Sequence, residues 1–173
     1  MEQQELNSIL ELHRKWLYDE EGGKRADLSF KNLRGADLYG ANLYGADLYG
    51  AKNAELIQAQ TVICPEGNII GWKKAILSSS ERVIVKLLMP GDAKRSNASG
   101  RKCRCSYAKV LDIQYLDGTS IDHGECAFSQ HDSSFFYEVG KTVYPTLPFC
   151  DDRWDECASG IHFFVTREEA VDY

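Results

Sequence analysis

Five cationic side chains stand close together in one short stretch of an otherwise acidic chain. The 173 residues include 20 Lys and Arg against 26 Asp and Glu, a net charge of −6. The cluster, which we call the basic segment, comprises Lys94, Arg95, Arg101, Lys102 and Arg104. Arginine forks and backbone N–H groups near glycine suit a compact phosphate, so this is our candidate anion site. The alternatives are a solvated loop or a loop that pairs with the acidic segment 151–156.

Two cysteines next to this segment raise the question of a metal. Cys103 and Cys105 are two residues apart, so on a strand they share one face, and Cys157 with His162 could complete a tetrahedral set. No Cys-x-x-Cys pair occurs, however, and the spacings match no zinc module. We therefore expect buried thiols, and we assign neither a metal nor a cofactor.

A cysteine, a histidine and an aspartate also lie close together at Cys126, His131 and Asp132. A histidine base can activate a cysteine as a nucleophile. The chain has no Gly-x-Ser-x-Gly elbow, phosphate loop or Rossmann fingerprint, so we assign no catalytic residues. We expect His13 and His162 to be structural, and we keep a small enzyme centred on Cys126, His131 or His162 as an alternative.

Composition limits the class of protein. Hydrophobic residues make up 43% and charged residues 27%, which is typical of a globular fold. The acidic balance argues against non-specific nucleic-acid binding. The first residues lack a signal peptide and no apolar run reaches about 20 residues, so we expect a cytoplasmic protein with reduced cysteines and no membrane contact.

A repeat of five residues is the most regular feature of the chain. From Ala26 the sequence reads ADLSF, KNLRG, ADLYG, ANLYG, ADLYG, and a period of five fits neither a helix nor a strand. Each repeat offers one large residue to point inward, all but the second have an alanine beside it, and all but the first have a glycine near a corner. The pattern weakens in residues 51–60, where we place Asn53 at the inward position.

These residues resemble the pentapeptide-repeat family. The resemblance implies a right-handed four-sided β-helix over residues 26–60, with under two coils and Asp27 stacked on Asp47. Tyr39, Tyr44 and Tyr49 would then face outward as a protein-interaction surface. Some family members mimic DNA and bind gyrase, but a segment this short with a net charge of −1 is a poor mimic, so we rank that role lowest.

The segments that flank the repeat predict two further parts. Residues 2–20 carry an apolar stripe at helical period that ends at Gly22-Gly23, which predicts an N-terminal capping helix within residues 1–25. Residues 61–173 predict a small β-rich α+β domain, so the chain is mainly β, or α+β overall. Its expected strands are 69–76, 82–88, 103–115 with odd positions inward, a hairpin of 135–139 with 143–144, and 160–165. Thr166 to Glu169 predicts a capping box.

Three strings in this part resemble an uncharacterised domain that accompanies pentapeptide repeats in phage and prophage proteins. They are GWKKA (71–75), AKRSNASGRKCRC (93–105) and RWDECASGIHFFVTREEA (153–170). The resemblance implies a phage or prophage origin and no particular activity. We therefore expect a non-enzymatic binding protein that acts on a host protein or sequesters a phosphorylated small molecule. Exposed strand edges also favour a homodimer.

If the basic segment holds a phosphorylated ligand, reversing its charges should abolish binding because the attraction becomes repulsion. A thermal-shift and calorimetry screen with nucleotides measures this. Binding that survives charge reversal would exclude the segment.

Overall fold

The computed structural model describes residues 1–38, 41–55, 57, 59, 62–122 and 124–173. It is mainly β with a short N-terminal helix, as expected. The elements are α1 (Gln3–Leu17), β1 (Ile69–Ile76), β2 (Arg82–Met89), β3 (Arg95–Asn97), β4 (Cys103–Cys105), β5 (Ala108–Tyr115), β6 (Cys126–Phe128), β7 (Phe136–Glu138), β8 (Thr142–Val143), β9 (Ile161–Phe163) and α2 (Arg167–Asp172). None of the described helices combines the length and apolarity needed to cross a bilayer.

The chain forms two compact units. Unit 1 comprises residues 1–63 together with 97–100 and 152–157, and unit 2 comprises residues 64–96, 101–151 and 158–173. The sequence predicted contiguous parts, whereas unit 1 takes two short segments from far downstream. The boundaries after residues 25 and 60 stay predictions.

The corners of the repeat explain its glycines. The N–H of Ala36 donates to the Leu33 carbonyl at 3.0 Å, and the same bond recurs five residues later along the described repeats. In the corners whose third residue is described, that residue has a positive φ, for example +70° at Gly35 and +73° at Gly45. Such a turn favours glycine because a side chain there meets the backbone. Phe30 occupies the equivalent place in the first repeat, with φ +57°.

A side-chain hydrogen bond explains the Asp or Asn before each leucine. The carboxylate of Asp27 accepts the N–H of Ser29 at 3.0 Å, and that of Asp47 accepts the N–H of Tyr49 at 3.0 Å. Asn42 does the same with Tyr44. A short polar side chain that binds the backbone two residues on initiates a turn, so the repeat encodes its corners locally.

The repeat stacks on itself at a separation of 20 residues. Asp27 and Asp47 form a parallel bridge, as expected. The leucines of the repeat are buried; they are Leu28, Leu33, Leu38, Leu43 and Leu48. Asn53 differs from the prediction: it is exposed, and its amide donates to Asn32 Oδ1 at 2.7 Å, so this polar residue bonds outside the core. Ala54 and Ile57 are buried instead.

Helix α1 covers the repeat core. Its predicted apolar stripe buries Leu6 and His13, and Leu6 packs in one cluster with the repeat leucines. The N–H of Ala26 donates to His13 Nδ1 at 3.1 Å. Burial lowers the pKa of His13, so this side chain stays a neutral acceptor. The chain then returns along the helix so closely that a Cβ on Gly23 would lie 2.5 Å from the Trp16 nitrogen.

The two downstream segments of unit 1 contribute a second cover. Trp154 packs against the repeat core, and the Arg153 guanidinium lies 4.5 Å from its ring centroid. Arg153 also donates to the Asn97 carbonyl at 2.7 Å, which ties the two segments together. Ser99 Oγ donates to the Ala46 carbonyl at 3.2 Å. A repeat this short therefore gains apolar cover that its own residues do not supply.

Unit 2 is built on a six-stranded sheet with the order β7-β6-β1-β2-β5-β8. Strands β1 and β2 pair from Ile69↔Met89 to Ile76↔Arg82, close to the predicted spans. The predicted hairpin is wrong, because β7 and β8 do not pair with each other but lie at the two ends of this strand order. The turn that joins them is short, so the sheet must curl until its end strands approach.

The predicted single strand over 103–115 is also wrong. It divides into β4 and β5, which belong to different sheets. Within β5 the register shifts opposite Lys86 and Leu87, and Leu111 is exposed while Val110 and Ile113 are buried. The extra residue of a β-bulge reverses the alternation, which explains why Leu111 does not point inward.

The second sheet has the order β3-β4-β9 and leads into α2. The predicted capping box is confirmed: Thr166 Oγ1 accepts the Glu169 N–H, and the Glu169 carboxylate accepts the Thr166 N–H. Phe163 packs so tightly on β1 that a Cβ on Gly71 would lie 2.4 Å from its ring.

We expect Trp154→Ala to lower the free energy of unfolding of the full chain by about 2 kcal/mol, because it removes apolar cover from the repeat core. Trp154→Phe should recover most of this loss. Urea unfolding followed by circular dichroism measures both. Tyr18→Ala, at a residue 70% exposed, is the control and should change stability by under about 0.5 kcal/mol. An equal effect of Trp154→Ala and Tyr18→Ala would contradict the covering role.

Candidate functional site

The basic segment is not one flexible loop, because it contains β3 and β4. Arg104 lies on β4 and is 1% exposed. Its Nη1 donates to the carbonyls of Cys150 and Ser159, both at 3.0 Å, and its guanidinium lies 5.3 Å from the Phe149 ring centroid. A buried cation with these partners serves the fold, and an outside ligand cannot reach it without rearrangement.

The other predicted cations have protein partners too. Lys94 pairs with Asp151 at 2.9 Å. This agrees with the alternative in which the basic segment pairs with the acidic segment 151–156. Arg95 donates to the Gly67 carbonyl at 2.8 Å, and Arg101 pairs with Glu169. The five cations therefore do not converge, and their joint role in anion binding stays a prediction. Only Lys102 belongs to the cavity described next.

A small cavity in unit 2 brings together five side chains that can carry positive charge. Its lining comprises Lys73, Lys74, Lys102, Gln130, His131, His162, Phe164 and Tyr173. Neither aspartate nor glutamate is among these residues. The enclosed volume is about 20 Å³, which holds about one water, and the empty space with open solvent included is about 330 Å³.

A divided edge of β1 creates this cavity. At Trp72, β1 exchanges two hydrogen bonds of 2.8 Å with Phe164, just after β9. At Ile76 it pairs instead with Phe128 of β6. Between these two points the described residues show no strand partner on this edge. Lys73 and Lys74 lie in the interval.

Lys73 occupies a position where a sheet normally places an apolar residue. Ile69, Gly71 and Ala75 lie on the same face of β1 and are buried. Burial, reinforced by the neighbouring Lys102, lowers the pKa of Lys73 from 10.5 to about 8. No hydrogen bond or ion pair involves its amine within the described ranges of the chain. β1 thus holds a partly buried cation that has no counter-ion among the residues that the structure describes.

The second unusual group is His162 on β9. Burial, together with the positive charges of Lys102 and Lys73, lowers the pKa of His162 to about 3. Its Nε2 is buried and finds no hydrogen-bond partner among the residues that the structure describes. Lys102 Nζ lies 3.5 Å from the Tyr173 hydroxyl and 5.6 Å from the Tyr173 ring centroid. The cavity therefore combines positive potential with an unused ring nitrogen.

The register of β4 and β9 decides the metal question for three of the four predicted ligands. Cys103 is opposite Phe163, Cys105 is opposite Ile161, and Arg104 is opposite His162. Directly opposed residues share a face, so the two cysteines and His162 point to opposite sides of the sheet. This contradicts a common ligand set. Across the described residues no group of three or more candidate ligands exists, and none of the six cysteines forms a disulfide.

The structure does not assemble Cys126, His131 and Asp132, which the sequence offered only as an alternative, into a catalytic group. Asp132 accepts hydrogen bonds from the N–H and hydroxyl of Ser134 and from Thr146, which lowers the pKa of its carboxyl, chiefly through Ser134. In the described part of the chain no hydrogen bond joins Asp132, His131 and Cys126. The structure does bring His131 and His162 to one cavity, without Cys126 in its lining.

The predicted tyrosine surface is described in part. Tyr44 is 50% exposed and Tyr49 is 43% exposed, with Tyr49 edge-on to Phe30 at 5.3 Å between ring centroids. Tyr39 lies outside the described residues. Their role in protein binding stays a prediction.

The sequence reasoning missed Lys73 and Lys74 as site residues. They stand inside GWKKA, which we used only as a family signature. A lysine at an inward position, between Gly71 and Ala75, was the available clue, since inward strand positions rarely carry charge.

Comparisons with known proteins match both parts of the chain. A model of pentapeptide repeats (8 copies) matches residues 24–52, and a model of a family of unknown function, DUF5758, matches residues 60–170. An uncharacterized protein of Acanthamoeba polyphaga mimivirus is similar, at 37% identity over 73 residues, which are 42% of this chain and 46% of that protein. No solved structure matches.

These matches confirm the combination of repeats with an uncharacterised domain, whereas the phage or prophage origin stays a prediction. The second model covers more than half of the residues. The chain therefore belongs to the DUF5758 family of unknown function and carries pentapeptide repeats ahead of that domain.

Proposed function

We propose that this chain is a non-enzymatic binding protein that holds a compact anion, such as phosphate or a small phosphate ester, in the cavity of unit 2. One observation carries the proposal: five cationic or protonatable side chains line the cavity, and none of the described lining residues is an aspartate or a glutamate. A bound anion would supply the missing counter-charge for Lys73 and an acceptor for a protonated His162 Nε2.

The size of the cavity limits the size of the ligand that can bind in it. Pockets that bury a drug-sized molecule measure about 300–1,000 Å³. The enclosed volume here is about 20 Å³. A whole nucleotide therefore does not fit inside, and a small anion enters when the flexible stems of Lys74 and Lys102 move aside. The proposed ligand is therefore smaller than the nucleotide expected to bind the basic segment. Of the five residues of that segment, only Lys102 would contact it.

The wider role of the protein belongs to the same proposal. The similar mimivirus protein supports a viral setting, in which the chain would act as an accessory protein that sequesters its anion in the host cytoplasm. The exposed Tyr44 and Tyr49 leave a host protein as a further partner, on a unit separate from the cavity.

Calorimetry with sulfate and with glycerol 3-phosphate tests the anion site. Lys102→Gln should weaken binding at least about tenfold, since it removes one charge from a site with low solvent exposure. Lys94→Gln is the matched control, because Lys94 pairs with Asp151 outside the cavity, and should leave affinity unchanged. Neutral glycerol should not bind. Absence of anion binding at millimolar concentration, or equal losses in both variants, would overturn the proposal.

Binding should strengthen as the pH falls through 8. The free site has Lys73 with a pKa of about 8, and an anion favours its charged form, so the complex takes up a proton in this range. The groups that face it are Lys102, Lys74, His131, His162, Arg104 and Cys105. Sulfate is the suitable probe because it does not titrate here. Calorimetry in two buffers of different ionisation enthalpy should show proton uptake, and a pH-independent affinity between 7 and 9.5 would contradict it.

Lys73→Met should raise the free energy of unfolding at pH 7 by about 1–3 kcal/mol, because it removes a dehydrated charge. The folded pKa of Lys73 is below the unfolded one, so wild-type stability should rise as pH increases from 8 towards 10.5, and the variant should lack this rise. Exposed Lys109 provides the control, Lys109→Met, with a change under about 0.5 kcal/mol. A destabilised Lys73→Met would show that the amine serves the fold.

A further inference from the structure

We propose that the Lys73 amine captures the carbonyl group of a small anionic aldehyde or keto acid as a reversible imine in this cavity. The inference rests on the proposed function and narrows its ligand to a compact anion that also bears a carbonyl. It makes the protein a covalent but reversible binder.

Lys73 differs from Lys94 and Lys102 of the basic segment in its contacts. Lys94 pairs with Asp151, and Lys102 reaches the Tyr173 hydroxyl. The Lys73 amine has neither kind of partner in the described residues, and its side chain is one of those that line the cavity. An amine that no carboxylate engages is available to react.

The surroundings keep part of this amine unprotonated. With a pKa of about 8, about a tenth of Lys73 is neutral at pH 7, compared with less than about a thousandth for an ordinary lysine. Nearby Lys102 adds to the effect of burial. A desolvated lysine next to a second cation is the arrangement by which proteins activate this side chain as a nucleophile.

The cavity also holds the remaining groups that imine formation needs. The nitrogen lone pair attacks the carbonyl carbon to form a C–N bond, the oxygen takes up a proton, and the carbinolamine loses that oxygen as water. The reverse reaction releases the ligand, and no oxidant or reductant is required. Both protons of the neutral amine end on the departing oxygen, while Lys102 and Lys74 hold the carboxylate or phosphate of the ligand.

Because the enclosed volume is small, only carbonyl compounds of about two or three carbons are expected to enter when the stems of Lys74 and Lys102 move aside. The cavity also predicts selectivity, because a compact anion is drawn to the cations while a neutral aldehyde of the same size is not. Glyoxylate, an aldehyde with one carboxylate, is therefore a suitable probe.

The experiment incubates the full chain with glyoxylate and cyanoborohydride, which reduces any imine to a stable carboxymethyl amine. Intact mass should show one added group, and peptide mapping should place it on Lys73 with a preference of at least about tenfold over exposed Lys109, because more of the Lys73 amine is neutral at pH 7. The rate should rise through pH 8 rather than near 10.5. Sulfate should inhibit it by occupying the same site.

Two variants separate this inference from the proposed function. Lys73→Arg keeps the positive charge but loses the reactive amine, so it should still bind sulfate and should lose the selective label, whereas Lys109→Arg should behave as wild type. Thermal unfolding checks that both fold, and the wild-type peptide map needs no variant. Sulfate binding with equal labelling of all exposed lysines would overturn the imine and leave the anion site standing. Loss of both sulfate binding and selective labelling would overturn both, and selective labelling that sulfate does not slow would overturn the shared site.

Discussion

Strand β1 bears the constraint on which unit 2 depends. One of its edges is fully paired with β2, while the other is shared between Phe164 at Trp72 and Phe128 at Ile76. Two elements cannot both follow the whole of that edge, so an interval stays between them. Lys73 and Lys74 lie in this interval and line the cavity. The unusual charge state of the cavity follows from strand pairing rather than from any run of charged sequence.

Unit 1 contains a chain that turns every five residues. Each turn is stabilised by residues close in sequence: an Asp or Asn accepts a hydrogen bond from the N–H two residues on, and a residue with positive φ completes the corner. What the repeat lacks is length. Helix α1 and Trp154 supply apolar cover from both sides of the sequence, and the second comes from about 100 residues downstream. A short repeat of this kind is therefore inseparable from its flanks.

Prediction from the sequence succeeded where one element decides its own structure. The span of β1, the helical stripe of α1 and the Thr166 capping box all depend on residues a few positions apart. It failed where the structure depends on a strand far away in the sequence. The bulge that exposes Leu111 lies opposite β2. β7 and β8 were expected to pair with each other, but β7 pairs with β6 and β8 pairs with β5. Of the predicted anion-binding cations only Lys102 reaches the cavity, since strand formation directs Arg104 into the interior.

The sequence by itself determined the five-residue corners, the inward leucines and the presence of helix α1, because the hydrogen bonds involved join residues within about five positions of one another. Only the tertiary structure decided that Lys73 lies partly buried in one cavity with Lys102 and His162, and that His162 faces away from Cys103 and Cys105. Charge and burial depend on distances between elements far apart in the chain, and a linear sequence of residues does not contain those distances.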